Sequence, residues 1–323
     1  MNDDYLWDRS GAPDAEIERL ERVLAPLRAG RPSLAAAAAQ ARPVRPQLRW
    51  LAAAAAVILA ALALLRLPAP DAAASAWQVE SLSGTARVGG RSASVDMAVR
   101  AGQTLRTGAD SGLTMEANEV GSVDLGPDSE LRASSANRLL LRRGTLHAFI
   151  WAPPRQFVVD TPAARAVDLG CEYTMTVNAA GEGLLRVQYG WVAFQYADRE
   201  SFIPEGAQCV MRPRSGPGIP YYEDAPAALR EGLSRLESGD EAALSEILAA
   251  ARPRDGLTLW HLLTRAAPAD RGRVFDRFAQ LVKLPPEVTR EGALKKQARA
   301  LDLCWDALDL ENTDWWRGWE RRW

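Results

Sequence analysis

Cysteine, histidine and lysine are scarce in this chain of 323 residues, and each scarcity removes a class of chemistry. Cys171, Cys209 and Cys304 show no CxxC spacing, and His147 and His261 stand far from them and from each other, so no zinc-ligand pattern exists. Lysine occurs only at Lys283, Lys295 and Lys296, with arginine supplying every other basic group. That skew, with heavy alanine usage, speaks of a GC-rich genome rather than a mechanism. A formal net charge of -2 leaves no polyanion footprint, so direct nucleic-acid binding is not expected. Catalytic constellations are missing too. The Gly181-Glu182-Gly183 turn lacks the third glycine and following helix of a dinucleotide site and reads as a hairpin loop. His147 falls in an alternating strand and His261 in an apolar helical stretch, which suits packed or satisfied residues better than a general base. These absences predict neither an enzyme nor a cofactor.

What is present is ordinary globular composition, 47% hydrophobic and 25% charged, in a chain with room for about two domains and extensions. One segment stands apart. Trp50 to Leu65 reads WLAAAAAVILAALALL, uncharged and bounded by Arg49 and Arg66. As a helix it would cover roughly 24 Å, short of a bilayer core of roughly 30 Å, but flanking arginines can snorkel and Trp50 suits an interface. The alternatives are a buried Ala-rich helix and a cleavable signal with DAAASAW as its cleavage region, although 49 residues precede the apolar run. Arg28, Arg31, Arg42, Arg45 and Arg49 lie upstream and Arg66 alone closely follows, which predicts a cytoplasmic N-terminus in an inner membrane and periplasmic C-terminal regions.

Before that run, Pro13 suits a first helical turn, Asp14 and Glu16 suit its dipole, and Glu18 faces Arg22. Ile17, Leu20, Leu24 and Leu27 then form one apolar stripe. A lone helix of about fifteen residues is marginal in water. The stripe, with Tyr5, Leu6 and Trp7, is therefore expected to bury itself against a partner; self-association or a loose tail is the plainer alternative.

From Trp77 to about Met211 short alternating runs are separated by Gly, Pro, Asn and Asp, the pattern of an all-β sandwich or elongated β-array. The landmarks Thr107-Gly108, Gly126-Pro127-Asp128-Ser129, Thr161-Pro162 and Gly190-Trp191-Val192 come in this order within RAGQTLRTGADSGLTM, SVDLGPDSEL, LLLRRGTLHAFIW, FVVDTPAARAVDLGCEY and RVQYGWVAF. In these the chain resembles the FecR domain over about 135 residues. The resemblance implies a membrane-anchored regulator whose cytoplasmic segment binds an extracytoplasmic-function sigma factor while the outer domain receives a signal from another envelope protein. The family's usual LGT is LGC here, so Cys171 departs from the pattern. In an oxidising periplasm Cys171 and Cys209 could pair, closing a loop of about 38 residues for roughly 4 kcal/mol. Two buried thiols are the equal alternative.

After SGPGIPYYEDAP the pattern turns helical, with Leu229, Leu233 and Leu236 on one stripe and Leu244, Ile247 and Leu248 on the next. LTLWHLLTR, VFDRFAQLV and ALDLCWDAL add further amphipathic segments, and the tail DWWRGWERRW reads as a final helix packing its tryptophans, with a membrane or partner surface as the alternative. The expected fold is multidomain: a helical cytoplasmic segment (1–49), a transmembrane helix (50–66), an all-β FecR-like domain (77–211), a linker (212–225) and an α-helical C-terminal domain (226–323). The expected function is that of a membrane regulator holding a sigma factor; a tethered scaffold that binds a polysaccharide or protein is the alternative.

Overall fold

The computed structural model describes residues 77–310. Their first half alternates buried and exposed residues with the period of two that a pleated strand requires. Strands β1 (Trp77–Ser83), β2 (Ala86–Val88), β3 (Arg91–Ser92), β4 (Ala98–Val99), β5 (Thr104–Thr107), β6 (Gly112–Ala117), β7 (Gly121–Leu125) and β8 (Glu130–Ser135) are short. Three long strands follow among shorter ones: β9 (Arg138–Ile150), β10 (Val158–Asp160), β11 (Arg165–Val177), β12 (Gly183–Tyr196), β13 (Arg199–Pro204), β14 (Ala207–Arg212), β15 (Gly216–Pro217) and β16 (Tyr221–Tyr222). All belong to one 16-stranded sheet.

The long strands make that continuity. β9 pairs with β8 and β10 along its first half and with β7 and β11 along its second. β12 pairs with β14 near its start and with β13 near its end. Each long strand thus serves two sets of neighbours, and the inward residues of both sets share one core from Trp77 to Met211. The Gly181-Glu182-Gly183 turn is the β11–β12 hairpin connection, closed by Asn178, whose side-chain oxygen accepts from the Ala180 and Glu182 amides.

The helices are α1 (Ala227–Glu237), α2 (Ala243–Ala250), α3 (Gly256–Arg265), α4 (Pro268–Leu281), α5 (Arg290–Leu294) and α6 (Ala298–Asp306). Leu229, Leu233, Leu244, Ile247 and Leu248 face inward as their spacing requires. Pro268 opens α4, where a missing N–H costs nothing, and Thr289 caps α5 by accepting from the Gly292 amide. Residues 212–225, read from the sequence as a linker, hold β15 and β16, both paired with β14.

The expectation of a multidomain chain built around a transmembrane helix is corrected here. The described residues are mostly a 16-stranded sheet with some helices, the two lie within one compact unit, and no helix among them is long and apolar enough to cross a membrane. The physical reason is plain in α4, the longest of them. Its 14 residues rise only about 21 Å, and they include Asp270, Arg271, Arg273, Asp276 and Arg277. The apolar stretch 50–66 and the tail 311–323 lie outside the described residues.

Candidate functional site

Tyr5, Leu6, Trp7, Ile17, Leu20, Leu24 and Leu27, the residues expected to bind a partner, all lie outside the described residues. The landmark residues lie within them, and they converge on the backbone joints of the sheet. The Thr107 hydroxyl donates to the Gly126 carbonyl at 2.7 Å and accepts from the Ser129 amide at 2.9 Å. Ser129 Oγ in turn accepts from the Thr145 amide at 3.0 Å. Gly144 completes this knot: with φ of +99°, a Cβ there would stand 2.1 Å from Ser129 Oγ. Thr161 Oγ1 accepts from the Ala163 and Ala164 amides and turns the chain between β10 and β11.

The cysteine pairing is not formed. Cys171 lies opposite Gly190 and Cys209 opposite Leu185, on either side of β12 and five residues apart along it. Five residues and two strand spacings separate the Cα atoms by roughly 19 Å, far beyond the roughly 7 Å a disulfide can bridge. Both remain buried free thiols. Cys209 donates to the Gly218 carbonyl, and burial pushes its thiol up to about 12. Cys171 donates to the buried Asp168 carboxylate, which also accepts from the Gly170 amide at 2.7 Å. Burial outweighs those two bonds and raises Asp168 to about 7. Beside them the Tyr173 hydroxyl is buried without a hydrogen-bond partner among the described residues.

The two histidines have different lives. His261 is fully buried, and burial lowers it to about 3, so the ring is neutral. Its Nδ1 donates to the Leu257 carbonyl at 2.9 Å and its Nε2 accepts from the Phe202 amide at 3.1 Å, which pins α3 to β13. His147 lies on the outer face of the sheet, its ring nitrogens 3.3 Å from Asp124 Oδ2 and 3.0 Å from Glu172 Oε1. This links β7, β9 and β11 through side chains. Thr114 donates to Asp124 on one flank and Gln188 donates to Thr174 on the other, both at 2.7 Å.

Next to that polar row runs an aromatic one. The register sets Ser122, Phe149, Glu172 and Tyr189 side by side across β7, β9, β11 and β12, with Glu116 beyond Ser122. Phe149 is 48% exposed and Tyr189 63%, and Trp151, 44% exposed, meets Phe149 edge-on at 5.9 Å. Trp151 Nε1 donates to the Asn118 carbonyl, so the ring is fixed in place. Three large aromatic rings are thus exposed on this face, with Glu172 between Phe149 and Tyr189. Alternation fits the outward side of Phe149 and Glu172, but Tyr189 is outward only because the register shifts between Val187 and Tyr189, which sequence does not display.

No family model matches this sequence. No curated protein matches it either. Two crystal structures of a "putative anti-sigma factor" from Parabacteroides distasonis ATCC 8503, at 1.65 and 2.50 Å resolution, align with it at a TM-score of 0.32 and 14% identity. Each alignment covers 41% of this chain and 64% of the other, so the chain spans less than two thirds of the length of the protein it matches.

Proposed function

We propose that this chain is a regulator of the anti-sigma type, resembling FecR-family proteins. In this reading Ile17, Leu20, Leu24 and Leu27, with Tyr5, Leu6 and Trp7, hold an extracytoplasmic-function sigma factor, and the sheet region receives the signal that controls the hold. The observation that supports it is the landmark knot. Thr107, Gly126, Ser129 and Thr145, quoted above as parts of three separate sequence motifs, bond to one another in space. A signal can shift the sigma factor only if the two states of the regulator bind it unequally.

A second reading is favoured by the outer face: a scaffold or binding protein in which Phe149, Trp151 and Tyr189 engage a protein or polysaccharide. One experiment separates the two. The tagged full-length chain is recovered from its native host beside a Leu20→Asp, Leu24→Asp variant. A sigma factor captured by the parent and lost from the variant supports the regulator. Capture by both rejects the stripe as the binding face, and capture by neither favours the scaffold.

A further inference from the structure

A cavity of about 660 Å³ opens where the β12–β13 hairpin, the β14–β15 turn and helices α1, α2 and α3 meet. That is within the usual range for a small-molecule pocket. Ile219, Leu236, Leu244 and Leu262 supply its apolar lining. Close packing of glycine sets its wall: Gly216, with φ of +74°, lies so near Tyr196 that a Cβ would come within 2.5 Å of that side chain.

The charges around this space are unequally committed. Glu237 is occupied by Arg212 and by the Ile219 amide, and Asp270 by Arg273. Among the described residues Arg265 has no carboxylate within ion-pairing distance. Its guanidinium donates to the carbonyls of Pro217, Gly218 and Glu200 and to the Ser201 hydroxyl. Arg199 donates only to the Ser215 carbonyl, and Arg214 makes no hydrogen bond or ion pair among the described residues. Burial lowers Arg265 to about 10, so it stays charged at neutral pH; the Glu237 carboxylate acts on it from beyond ion-pairing distance and is itself taken up by Arg212. Two exposed carboxylates, Asp198 and Glu241, stand at the rim. Three arginines without carboxylate partners thus face two rim acids.

We propose that this cavity binds a small organic anion, its carboxylate or phosphate held by Arg199 and Arg214 with the buried charge of Arg265 behind them, and its carbon skeleton by the apolar lining. The rim acids repel long polyanions and limit the site to compact ligands. Arg265 also ties α3 to β13 and β15, so a bound anion acts on the joint between helices and sheet. The proposal stands apart from the sigma-factor reading, since it concerns neither the N-terminal stripe nor the outer face.

The test is calorimetric titration of the full-length chain with citrate and, separately, with inorganic pyrophosphate, with sorbitol as the uncharged control. Saturable binding of either anion tighter than about 1 mM is expected, weakening as NaCl is raised. Which anion binds distinguishes carboxylate from phosphate recognition. The Arg199→Gln, Arg214→Gln double variant changes only exposed residues and should weaken binding about tenfold or more. Arg265→Lys, which keeps the charge but loses the fork that fixes it to Gly218, Glu200 and Ser201, is a second variant expected to weaken it. Failure of both anions to bind saturably, equal binding of sorbitol, or unchanged affinity in the double variant would overturn the proposal.

Discussion

The sheet is covered at one place and open at another, and β12 passes through both. Tyr189 stands 63% exposed on the open face, whereas Trp191, two residues on, is 7% exposed beneath α6. Between them Gly190, with φ of +73°, lets the strand pass so close to β11 that a Cβ would stand 2.1 Å from the Gly170 carbonyl. Both places are rich in aromatic rings. At the covered place Trp305 lies 4.7 Å from Trp260, 5.6 Å from Phe202 and 6.0 Å from Trp191. Composition does not decide whether an aromatic residue stabilises the fold or meets a partner; the presence of a covering helix does.

That contrast is broken most severely at the covered place. Trp305→Ala should cost about 3–5 kcal/mol in denaturant unfolding, because it empties the space between sheet and helices. A loss under about 1 kcal/mol would mean that α6 contributes little to covering the sheet.

The next largest effect concerns pH. Asp168, raised from 3.8 to about 7, binds its proton more tightly when folded. Its contribution is full below about 4 and is lost as pH rises towards 7, by on the order of 3 kcal/mol. His261, lowered from 6.5 to about 3, acts in the opposite sense, its contribution being lost as pH falls through that range. The two oppose each other between about 4 and 6.5. Asp168→Asn removes the first alone, so the variant's stability should climb with pH more steeply than the parent's across that window. Identical slopes would place Asp168 near its ordinary value.

Gly190→Ala tests the passage between the two places and should destabilise by more than about 1 kcal/mol, from both positive φ and the near carbonyl. Thermal unfolding at the parent's midpoint would show the backbone to be adaptable there. The smallest effect belongs to the open face. Phe149→Ser and Tyr189→Ser should each move stability by no more than about 0.5 kcal/mol, and a larger loss would reveal these rings as part of the core.

Much of the fold was legible because it is periodic. Alternation marked the long strands, and the 3.6-residue spacing marked Leu229, Leu233, Leu244 and Ile247 as a buried stripe. His261 could be read as a packed residue from its apolar neighbours, but its partner, the Phe202 amide, is 59 positions away and left no local trace. The same limit applies to the Cys171–Cys209 pairing, which spacing permits and register forbids. It applies also to the docking of helices on the sheet, where residues 212–225 read as a linker because Pro and Gly punctuate them. The open face was less legible: alternation gives the side of Phe149 and Glu172, but the shift in register on β12 turns Tyr189 outward, and pairing alone sets the three in a row.

The tryptophans gathered around Trp305 have an optical consequence. Indole rings held within 4.7 to 6.0 Å of one another at fixed tilts couple electronically, and they come from both β12 and the helices. Near-ultraviolet circular dichroism of the chain should therefore carry a signal that belongs to the docking of helices on the sheet, vanishing when the helices detach even if every strand stays paired.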